Sequence, residues 1–75
     1  MTSIRTLNEL MESYKNFKKE PPKNIVARLY EELTIVRSII STAQAQKPDF
    51  DTFELQKIAD NNLKQLHEMG YKKLI

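Results

Sequence analysis

The chain has 75 residues, too few for more than one domain, and a domain this small buries only about 60% of its unfolded surface, which leaves a narrow stability margin. With 40% apolar and 29% charged residues, one Gly and three Pro, it is neither disordered nor low in complexity, and the absence of Cys excludes disulfide staples and thiolate metal sites. A net charge of +2 is too slight by itself to argue for nucleic acid, so the distribution of charge matters more than its sum.

No apolar run approaches the roughly 18 residues of a membrane span, and the opening MTSIRTLNEL lacks the continuous apolar core of a secretory signal. The expected location is the cytoplasm.

A first helix is predicted over residues 3–18. Ile4, Leu7, Leu10, Met11, Tyr14 and Phe17 fall within an arc of about 140°, opposite Arg5, Asn8, Glu9, Glu12, Lys15 and Asn16. Either Thr2 or Ser3 caps its start, or Thr6 and Glu9 form a capping box one turn later. Pro21 and Pro22 stop it, since each lacks an N–H and the residue before a proline is driven out of the α region. Pro22 or Asn24 then opens the next helix, and so short a connection makes the two helices antiparallel neighbours.

The second helix, residues 23–46, is the organising element. Val26, Leu29, Leu33, Val36, Ile40 and Ala43 recur at alternating steps of three and four, and Ile25, Tyr30, Ile35 and Ile39 widen the apolar arc to roughly 220°. One partner helix cannot cover such an arc, so this helix belongs between two others.

A third helix is predicted over residues 52–69. Asp51 and Glu54 have capping-box spacing, Phe50 and Leu55 that of a hydrophobic staple, and the inner face is Leu55, Ile58, Ala59, Leu63, Leu66 and Met69. Gly70, the sole glycine, stands where a left-handed C-terminal residue is wanted, with Tyr71 placed to pack on Leu66. Residues 70–75 form a short tail whose Leu74 and Ile75 are expected to fold back on the bundle. The fold class is therefore all-α: one domain, residues 1–75, built as an antiparallel three-helix bundle running up, down and up.

The functional signals are sparse. A bundle of this size has difficulty covering Tyr30, Ile35, Ile39 and Phe53, and an exposed apolar edge among Arg28, Glu32 and Arg37 reads as a surface for a protein partner. Asn62 sits within the apolar face of the third helix. A buried amide needs a partner, and in a symmetric homodimer it would fix the pairing of two copies. Up-down-up topology also gathers Lys15, Lys18, Lys19, Lys23, Lys72 and Lys73 at one pole, a second candidate surface for nucleic acid or another anionic partner. The plainer role for these lysines is to offset helix C-terminal dipoles and keep the chain in solution.

Catalytic equipment is not legible. His67 is the single histidine and lies at the margin of an apolar stripe without a second ligand at metal spacing, no nucleophile has an activating base, and no Gly-rich loop could cradle phosphate. Glu31 and Glu32 are expected on solvated faces. The sequence thus predicts a non-enzymatic interaction or adaptor module without metal or cofactor, self-associating in one version. By analogy of size and fold class alone, an inhibitor of the bacteriocin-immunity or phage-encoded kind is a further alternative.

Overall fold

Thr6 sets the start of the first helix. Its hydroxyl accepts the Glu9 N–H at 3.2 Å while the Glu9 carboxylate accepts the Thr6 N–H at 3.0 Å, a closed capping box. The structure, a computed structural model, describes residues 6–71. Helix α1 spans Leu7–Lys19, α2 spans Ile25–Gln46 and α3 spans Phe53–Glu68. Of the two predicted starts for α1 the later one holds; the alternative caps Thr2 and Ser3, like Ile4, Leu74 and Ile75, lie outside the described residues.

The remaining helix ends follow from local chemistry. Asn24, not Pro22, caps α2, its side-chain oxygen accepting the Ala27 N–H at 3.1 Å. At α3 the expected box gives way to a different contact: Thr52 is the N-cap without a side-chain cap bond, and Asp51 Oδ1 accepts the Phe53 N–H at 3.0 Å. At its other end α3 closes with a Schellman motif. Gly70 adopts φ +95°, its N–H donates to the His67 carbonyl at 3.0 Å, and the Tyr71 N–H reaches the Leu66 carbonyl at 3.0 Å.

The fold is a three-helix bundle in which α1 and α3 both pack along α2 and meet each other only marginally. The core reflects this: α2 contributes Leu29, Leu33, Val36, Ile39 and Ala43, against Leu7, Leu10 and Tyr14 from α1 and Ala59 and Leu66 from α3. Each fully buried aliphatic side chain is worth about 1.5–3 kcal/mol, so most of the apolar driving force passes through α2.

Ile39 corrects an expectation. Predicted as part of the exposed edge, it is 1% exposed. It stands three residues after Val36 and four before Ala43, and so continues the buried stripe rather than flanking it.

Asn62 and Glu32 bring a second correction. Asn62 is 3% exposed, and its amide nitrogen donates to Glu32 Oε1 at 2.7 Å and to the Leu29 carbonyl at 3.4 Å. The Tyr14 hydroxyl donates to the other oxygen, Glu32 Oε2, at 2.8 Å. One carboxylate on α2 therefore ties α1 and α3 together. Asn62 finds acceptors inside its own chain, so its burial needs no second copy, and Glu32 is half-buried rather than solvated. Seven residues before Ile39, Glu32 lies within roughly 20° of it around the helix, on the inward side of the arc. Burial, reinforced by the carboxylate that accepts its proton, raises the Tyr14 phenol above its ordinary range.

Candidate functional site

The short Pro-Pro turn folds the last turns of α1 back beside the first half of α2, and a shallow hollow of about 600 Å³ opens along that seam. Its apolar lining is Phe17 from α1 with Tyr30 and Ile35 from α2; Ser13, Asn16 and Thr34 add neutral polar groups. Phe17 and Ile35 are half-buried against the core, whereas Tyr30 is 42% exposed. Thr34 has little to offer a visitor as a donor, because its hydroxyl already donates to the Tyr30 carbonyl at 3.0 Å.

Two charged side chains complete the lining, Glu20 and Glu31, and both are acidic. Both residues are exposed, and among the described residues neither has an ion-pair or hydrogen-bonding partner for its carboxylate. Glu20 is held in place by its backbone: as the C-cap of α1, its N–H donates to the Asn16 carbonyl at 3.3 Å. An apolar floor with unpaired carboxylates can hold a side chain that is part hydrocarbon and part cation.

The other predicted site residues fall elsewhere. Phe53 is 59% exposed at the start of α3 and is not part of this lining; the Lys57 ammonium lies 4.9 Å from its ring centre. Ile39 instead floors a second hollow of about 510 Å³ between α1 and α3, lined also by Met11, Tyr14 and Leu55 with Glu12, Lys15 and Lys18 at its rim. Lys15, Lys18, Lys19 and Lys23 are exposed, and the Lys18 ammonium sits 4.6 Å from the centre of the Tyr14 ring. Lys72 and Lys73 lie outside the described residues.

Sequence reasoning gave Phe17 to the apolar face of the first helix and Glu31 to a solvated face, where it is found, but did not join Phe17, Glu20 and Glu31 to Tyr30 and Ile35. The available signal was the turn itself, which brings residues just before Pro21 beside residues a turn or two beyond Asn24. His67 is half-buried next to Leu63, and its Nε2 is enclosed without a hydrogen-bond partner among the described residues. Among those residues no group of three or more His, Asp or Glu comes together to hold a metal ion, and no helix is long and apolar enough to cross a membrane. Comparison with protein-family models, with curated proteins and with solved structures gives no match.

Proposed function

We propose that the chain is a non-enzymatic interaction module that holds a protein partner in the hollow between α1 and α2. The observation that carries this reading is the meeting of Tyr30 and Ile35 with Phe17 at one seam, an apolar surface left open between two helices with acidic side chains at its edge. Such a surface, apolar at its centre and polar at its rim, has the composition of a contact face. The middle helix is then both the spine of the core and, on its outer side, half of the docking groove.

The test is photo-crosslinking in the cell of origin, with Tyr30 replaced by a photoreactive phenylalanine analogue. The expected result is a discrete protein adduct that disappears when Ile35→Lys is added. Adducts identical to those from an exposed control position such as Asp60, or adducts indifferent to Ile35→Lys, would refute the proposal.

A further inference from the structure

We infer that the occupant of the α1–α2 hollow is a basic amphipathic helix of another protein, and not a second copy of this chain. The inference rests on the docking reading above and adds the chemistry of the partner. Glu20 and Glu31 are the charged groups of the lining, both are exposed, and neither carboxylate has an ion-pair or hydrogen-bonding partner among the described residues. A segment presenting two or three apolar side chains at helical spacing to Phe17, Tyr30 and Ile35, with Lys or Arg beside them, satisfies floor and rim together. A seam between two helices also offers the ridge-and-groove surface on which a third helix packs.

Charge argues equally against self-pairing here. A two-fold contact through this hollow is isologous, so each copy would bring an acidic lining against the acidic lining of the other. Like charges brought together across an interface disfavour the wrong partner. The hollow on the other side of α1, with Lys15 and Lys18 beside Glu12, has no such uniform sign.

The probes are two synthetic helical peptides of equal length with the same leucine spacing, one otherwise built of lysine and the other of glutamate. Each is titrated into isotopically labelled full-length protein and followed by NMR. The Leu/Lys peptide is expected to shift the resonances of Phe17, Tyr30 and Ile35. Glu20→Lys with Glu31→Lys should weaken that binding at least about fivefold, in line with the loss and reversal of two exposed charge pairs, and favour the Leu/Glu peptide instead. Both positions are exposed, so the fold should survive, and Glu20→Gln with Glu31→Gln provides a milder version without charge reversal. Equal shifts in the hollow from both peptides would overturn the charge assignment while leaving the docking reading intact. Failure of the Leu/Lys peptide to reach the hollow, while the Tyr30 crosslink to a protein persists, would overturn the inference alone. Self-association in sedimentation equilibrium that Ile35→Lys abolishes would also overturn it, in favour of a second copy.

Discussion

Removing the Glu32 carboxylate should unlatch both outer helices at once. Glu32→Ala deprives the Tyr14 hydroxyl and the Asn62 amide of their acceptors at 2.8 and 2.7 Å, and leaves Asn62 only the long 3.4 Å contact to the Leu29 carbonyl. Hydrogen bonds to a charged group are worth about 1.5–3 kcal/mol each; because Glu32 is only half-buried, water recovers part of this, and a net loss of about 2–3 kcal/mol is expected. Natural domains have about 0.05–0.15 kcal/mol of stability per residue, which gives a chain of 75 residues roughly 4–11 kcal/mol in all. The substitution therefore removes a large share. Urea denaturation followed by circular dichroism measures it, and a double-mutant cycle identifies its origin. Tyr14→Phe alone should cost about 1–2 kcal/mol, but within about 0.5 kcal/mol of nothing in the Glu32→Ala background, where the hydroxyl has already lost its acceptor. Equal costs in the two backgrounds, or a Glu32→Ala loss below about 0.5 kcal/mol, would refute the idea that this carboxylate links the helices.

Other substitutions test neighbouring parts of the structure. The raised Tyr14 pKa has a definite sign: the folded chain keeps its phenol protonated where the unfolded chain, with an ordinary value of 10.0, begins to ionise. The stability advantage of the wild type over Tyr14→Phe should be constant below about pH 10 and decline above it in denaturation curves taken across alkaline pH, by up to about 1.4 kcal/mol per pH unit; a difference that grows with pH would contradict the assignment. Gly70→Ala meets no atom within 4 Å of the added Cβ, so its cost is that of the left-handed backbone at φ +95° alone, about 1–2 kcal/mol, and a thermal melt showing no loss would dispute the Schellman closure. Ile39→Ala should cost about 2–5 kcal/mol as a buried truncation. Ile35→Lys, at a half-buried edge where the lysine stem can lie along the surface, should cost clearly less, and equal losses would mean that the two isoleucines had been told apart wrongly.

The three helices were legible because their signals are local and redundant. Period, prolines and the single glycine mark out each rod, while the start of α1 stood open between two caps and the cap of α3 falls at Thr52, one residue after the expected Asp51. What the sequence hid was pairing across helices. Ile35 and Ile39 looked alike from the arc of α2, and only in the assembled bundle is Ile39 buried while Ile35 stays at the margin. Asn62 was visible as an amide needing a partner, and Tyr14 as an aromatic in an apolar stripe. Neither pointed to Glu32 until the helices were set side by side, although its place on the inward arc beside Val36 and Ile39 was a usable hint. For the α1–α2 hollow the sequence supplied Tyr30 and Ile35, but Phe17, Glu20 and Glu31 join them only through the geometry of the Pro-Pro turn.

The most direct test of the proposed docking face is an NMR comparison of the labelled chain in buffer and in extract of its own cells, read at the Ile methyl and aromatic resonances. The signals of Ile35, Tyr30 and Phe17 should broaden or shift, while those of buried Ile39 and of Phe53 at the far end of α3 stay as they were. Changes centred on Phe53, or spread evenly over all of these side chains, would contradict a docking face between α1 and α2.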